Sequence, residues 1–200
     1  MVYHCVVPST NRQVHDPKIL RAIAHPLRNR ILTELTATGP MRAADLAAAL
    51  GLPANQMSFH LRQLAKYGLV VEAPEAARDR RDRVWRSASD DGVRVELSEI
   101  EKSPGGRAAA AVFRRHRAEW GHAVVDAVFD DARRDPDTLR TVTESAVRLT
   151  KEEASELAAE LDAVVDRWAA RTRGGADDRR TYLWFSVLQP HPEDPDPRRT

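Results

Sequence analysis

The chain of 200 residues has a single cysteine, Cys5. That excludes an intramolecular disulfide framework and any zinc site built from several thiolates. No apolar run approaches the roughly 18 residues of a membrane span, and the N-terminus lacks a basic region followed by a hydrophobic segment. A cytoplasmic protein with no membrane association is therefore expected. No glycine-rich phosphate loop is present, and no carboxylate pair or Ser/His arrangement stands out from the charged background, so nothing supports an enzyme. Hydrophobic residues make up 42% and charged residues 30%, the usual range for a soluble globular protein of one or two domains.

The net charge of +1 conceals an asymmetry. Residues 1–88 hold 13 Lys/Arg against 7 Asp/Glu, and the remainder holds 18 against 23. A basic first part joined to an acidic second part points to the first as the one that approaches a polyanion.

Start and stop signals divide the first part. Residues 1–15 show no periodicity and read as a loose arm. Asp16-Pro17 places a cap before a helix carrying Ile19, Leu20 and Ile23. His25-Pro26 opens a second helix, which Gly39-Pro40 ends. A third helix spans about 42–50, and a glycine-containing turn leads to a fourth at 54–67, closed by Gly68. Two β-prone runs follow, 69–73 and 83–87, flanking a charged tip. Four helices and a hairpin make the layout of a winged helix-turn-helix over residues 16–88.

The second part, 89–189, reads as a domain with two long helices and a small sheet, so the fold class is α+β, mainly helical. Ser103-Pro104 starts a helix to about Asp131. Thr150-Lys-Glu-Glu153 is a capping box that opens another to about Arg171, with Ala154, Leu157, Leu161, Val164 and Trp168 as its apolar stripe. Residues 141–149 suit a strand by their β-branched content, although Leu139, Val142, Ala146 and Leu149 also suit a helix. Thr181-Tyr-Leu-Trp-Phe-Ser-Val-Leu188 reads as a strand. Strand, helix and strand would form a crossover unit. The proline-rich tail 190–200 is expected to be disordered.

The fourth helix has one residue out of place. With Met57, Leu61 and Leu64 on the apolar stripe, the opposite face presents Asn55, Phe59, Arg62, Gln63 and Lys66, flanked by Gln56 and Ser58. Amides and arginines read base edges in the major groove, and an aromatic ring packs on a thymine C5-methyl. Serine and lysine suit phosphates. Phe59 is thus an apolar reader on a polar face, or an anchor for a protein partner. His60, about 60° off the apolar stripe, reads as a flank residue hydrogen-bonded to the scaffold.

Asp16-Pro-Lys-Ile-Leu-Arg-Ala-Ile-Ala-His-Pro-Leu-Arg-Asn-Arg-Ile-Leu-Thr-Glu-Leu35 and Ser58-Phe-His-Leu-Arg-Gln-Leu-Ala-Lys-Tyr-Gly-Leu-Val70 resemble the ArsR-like family of winged helix-turn-helix transcriptional regulators. The resemblance implies a homodimer that binds double-stranded operator DNA. The recognition helix maps onto 54–67, with contacts from Asn55, Gln56, Ser58, Phe59 and Arg62, and the wing maps onto 69–87. Arg78, Arg80, Arg81 and Arg83 at the wing tip suit phosphates or a narrow minor groove. Metal sensing, well known in that family, is not expected. The thiolate pair would fall in Met41-Arg-Ala-Ala-Asp-Leu-Ala-Ala-Ala49, which has no cysteine. His116 and His122, six apart, lie on different faces of a helix. No cofactor is expected.

The resemblance does not extend clearly past residue 88. Phe113, Trp120, Trp168 and Trp184 would suit a pocket for an apolar or aromatic effector, and equally a core or a dimer interface. The expectation is a repressor acting on a pseudo-palindromic operator. The alternatives are a one-component sensor and a winged-helix protein-interaction module.

Overall fold

Residues 2–5, 12–14, 16–77, 83–89, 93–133, 135–174 and 179–191 are described by a computed structural model of the chain. The expected N-terminal arm is corrected first. Val2–Cys5 (β1) and Arg12–Val14 (β2) are strands that flank a third, Val93–Glu96. β1 runs antiparallel to that strand, with Tyr3 opposite Val95, and β2 runs parallel to it.

The helix signals are realised as the caps predict. The Asp16 carboxylate accepts the Lys18 amide at 2.7 Å and opens α1, Pro17–Ala24. His25 stands at the cap of α2, Pro26–Thr38. The short strand β3, Met41–Arg42, precedes α3, Ala43–Ala49, and α4, Ala54–Lys66. Gly68, at φ 63°, turns the chain out of α4, a conformation that costs glycine little. β4, Val70–Glu72, and β5, Val84–Ser87, form the antiparallel wing hairpin, with β3 on the other edge of β5. The strand Val93–Glu96 is β6. The fold is mainly helical, with a winged helix-turn-helix in its N-terminal part.

The core does not stop at the expected boundary after residue 88. β6 leads into a one-turn helix, α5, Leu97–Ile100, and then into α6, Gly106–Phe129. Val95, Leu97, Ile100, Ala109 and Phe113 join Leu20, Ile23, Ile31, Leu46, Met57 and Leu61 in one buried cluster. α6 begins three residues later than Ser103 suggests, because Ser103 Oγ caps the α5 turn by donating to the Ile100 carbonyl at 2.6 Å. Gly106 fits there for want of a side chain: a Cβ would lie 1.8 Å from the Ile100 oxygen.

The C-terminal half packs differently. α7, Lys151–Thr172, opens on the predicted capping box, in which Thr150 Oγ1 accepts the Glu153 amide and Glu153 Oε2 accepts the Thr150 amide. Yet α7 buries no residue, and the stripe members Leu161, Val164 and Trp168 are exposed. Its C-terminal end docks on the end of α2. Arg173 Nε donates to the Thr36 carbonyl and the Gly174 amide to the Thr38 carbonyl, at 3.1 Å each, satisfying acceptors that a helix terminus leaves free.

Residues 141–149 and 181–188 are corrected as well. Neither forms a helix or a paired strand. Each runs without a turn or bend, exposed along its length. Their sequences suit a sheet, but a strand exists only with a partner, and within one copy they find none among the described residues. The tail beyond His191 lies outside the described residues.

Candidate nucleic-acid interface

The presentation of α4 follows from how its other face is locked. Met57, Leu61 and Leu64 are fully buried, each side chain contributing about 1.5–3 kcal/mol relative to exposure. α3 packs across them through Leu46, and the intervening turn is fixed by the Leu52 amide, which donates to the Ala47 carbonyl at 2.8 Å. Gly51 supplies the positive φ of 65° that the turn requires. α4 therefore has one orientation, and its outer face is determined.

That face carries the residues that helical spacing assigns to it. Asn55, Gln56, Phe59, Arg62 and Lys66 are exposed. Ser58 and Gln63 are half-buried at its margins, and Ser58 Oγ donates back to the Ala54 carbonyl at 3.0 Å. Phe59 is 52% exposed. It is not an isolated ring, for its neighbour His60 meets it edge-on, with centroids 5.3 Å apart and planes at 79°.

His60 differs from expectation. Instead of hydrogen-bonding the scaffold, its Nδ1 is shielded without a partner, and the ring packs on His25 at 5.0 Å between centroids. The pair stands over Arg28 at the start of α2. Burial lowers the pKa of both imidazoles below the ordinary value, and the Arg28 charge adds to the effect. Burial also lowers the pKa of Arg28. His116 on α6 closes the cluster, its Nδ1 lying 2.9 Å from the Ala24 carbonyl. A neutral, packed histidine pair thus backs the only exposed large apolar side chain that α4 presents. Sequence reasoning treated His25 and His60 separately; the His-Pro before α2 and the Ser-Phe-His-Leu run of α4 were the available signals.

Of the wing residues, Arg83 is exposed beside the wing, 3.9 Å from Glu72 across the hairpin. Arg78, Arg80 and Arg81 lie outside the described residues. The aromatic quartet does not converge as a closed pocket requires. Phe113 is sealed in the core and Trp120 is half-buried, whereas Trp168 and Trp184 are 56% and 63% exposed. Trp168 instead stacks under the Arg171 guanidinium, 3.5 Å from its centroid. Among the described residues no three His, Cys, Asp or Glu side chains are grouped to hold a metal ion, and no helix is long and apolar enough to cross a membrane.

A buried helix face, a fixed turn, an exposed second helix and a hairpin define the helix-turn-helix class. Residues 23–73 match a family model described as a helix-turn-helix domain. Over 52 residues the chain is 46% identical to the HTH-type transcriptional regulator NmtR of Mycobacterium tuberculosis, a stretch covering 26% of this chain and 42% of that protein. The chain thus spans under half the length of this curated relative. Together the two matches support the resemblance to ArsR-like helix-turn-helix regulators.

Proposed function

We propose that the chain is a sequence-specific DNA-binding transcriptional regulator, a cytoplasmic homodimer that represses by occupying a pseudo-palindromic operator. The observation that carries this reading is the outer face of α4. Phe59 stands more than half exposed among Asn55, Arg62 and Lys66, on a helix whose opposite face is completely buried. Major-groove readout needs amide and guanidinium donors beside an apolar group for thymine methyls. Two copies of α4 related by a two-fold axis would enter successive major grooves, so half-sites should lie about 10–10.5 bp apart or a multiple of that. A dimer seated there excludes other proteins from the same DNA, hence repression. The effector, if the protein takes one, is not a metal ion held by a thiolate pair on α3, whose sequence holds none.

Selection from random-sequence duplexes at low salt tests the reading. Enrichment of a two-fold symmetric motif is the expected result. Failure to enrich any motif would overturn it and favour a protein partner for the Phe59 face.

A further inference from the structure

We propose that residues 181–188 pair antiparallel with the same segment of a second copy across a two-fold axis, and that residues 139–149 of each copy pair with the outer edge of the other's 181–188. One four-stranded sheet shared by two chains is the result. The proposal rests on the homodimer reading above and identifies the surface that makes it.

The two segments run straight, and among the described residues neither takes part in a ladder. They nevertheless begin side by side. Arg180 pairs with Asp135, and the Leu139 amide donates to Tyr182 Oη at 3.3 Å. α7, about 33 Å long at 1.5 Å per residue, returns the chain between them, so both run in the same direction. Parallel neighbours with no backbone ladder between them among the described residues leave a place for a strand of another chain, and a two-fold copy supplies one running the opposite way.

Composition fixes the order. Tyr182-Leu-Trp-Phe-Ser-Val-Leu188 is apolar on both faces, the pattern of an inner strand. Phe185 lies against α6, so close that a Cβ on Gly121 would meet its ring at 3.2 Å, while Leu183 and Val187 on the same face stay 48% and 67% exposed. The alternate positions Tyr182, Trp184 and Leu188 are left 59%, 63% and 49% exposed. Residues 139–149 carry Arg140, Glu144 and Arg148, the charged composition that suits an outer strand and blocks further pairing.

The occupant is a copy of this chain. Among the described residues, all exposed large hydrophobics except Phe59 fall after Ala111. Residues 192–200, Pro-Glu-Asp-Pro-Asp-Pro-Arg-Arg-Thr, carry no apolar side chain but proline. A stable dimer buries about 800 Å² per partner. Phe129, Trp168, Tyr182 and Trp184, each over half exposed, supply on the order of 400 Å² of that, and the exposed aliphatic residues of both segments, such as Leu139, Val142, Leu183 and Val187, add to it.

Amide hydrogen exchange of the full-length chain, with sedimentation across a concentration series, tests this. The expected result is a dimer whose amides in 141–149 and 181–188 are protected at high concentration and exchange freely on dilution. Ser186→Pro, which removes one ladder donor, should raise the dimer dissociation constant at least tenfold with the helical circular dichroism retained; should that variant unfold, the wild-type exchange data decide. A wild-type monomer, or a dimer in which these amides stay unprotected, overturns the proposal. A monomer that still enriches a single half-site overturns the sheet and leaves the DNA reading standing. A protected dimer that enriches no motif does the reverse.

Discussion

The rings of His25 and His60 lie 5.0 Å apart at 51°, joining the cap of α2 to the middle of α4. Burial is the main reason that both imidazoles have lowered pKa values, followed by the Arg28 charge; His60 and His116 add smaller contributions at His25. The unfolded chain titrates near the ordinary 6.5 and so binds more protons than the folded one once pH falls to that region. Stability should be flat above about pH 7.5 and decline as pH drops through 6.5 toward the lowered folded values, with a slope of up to about 1.4 kcal/mol per pH unit for each proton taken up. Urea unfolding at pH 8, 6 and 5 measures this. His60→Gln should flatten the acid limb, and an unchanged slope would exclude the pair as its source.

Gly106 and Gly51 should respond differently to alanine. At Gly106 the new Cβ meets backbone, 1.8 Å from the Ile100 oxygen, so α6 must move, and Ala109 and Phe113 leave the core with it. A loss of about 3 kcal/mol is expected from such overpacking. At Gly51 nothing lies within 4 Å, and only the φ of +65° is strained, which costs about 1–2 kcal/mol. Thermal melts of the two variants should rank them in that order.

Local signals and long-range partners account for what the sequence revealed. Asp16-Pro17, His25-Pro26, Gly39-Pro40 and Gly68 punctuate the chain within a few residues of the elements they bound, so α1 to α4 and the hairpin were legible. The outer face of α4 was legible for the same reason, since one helical period decides it. β1 and β2 were not: Val2–Cys5 pairs with Val93–Glu96 some ninety positions away, and no local pattern names such a partner. Residues 139–149 and 181–188 show the converse. Their composition says what environment they suit, but not which chain provides it. The α7 stripe misled similarly, because spacing marks a face fit for burial whether or not the same copy covers it.

The Thr150 capping box offers a test of α7 that core mutations cannot, as no α7 residue is buried. Thr150→Ala removes the acceptor of the Glu153 amide, and losing an N-cap costs about 1 kcal/mol. With little packing to hold the first turn, the loss should appear as faster amide exchange at residues 152–156 with α1 to α4 unaffected. Uniform acceleration through the chain would mean that α7 unfolds only together with the core.

Phe59 separates base reading from phosphate attraction. If its ring packs on a thymine C5-methyl, replacing the operator thymines by deoxyuridine, which lacks only that methyl, should weaken wild-type binding by about 0.8 kcal/mol per contact, roughly fourfold. Phe59→Ala should bind more weakly and be indifferent to the replacement, so that the double-mutant cycle closes on the methyl–ring contact. Lys66→Ala should instead keep the full uracil penalty, lower affinity for specific and random DNA alike, and reduce the slope of log K against log salt by about 1. Equal uracil penalties in wild type and Phe59→Ala would remove Phe59 from base reading, whatever else its ring touches.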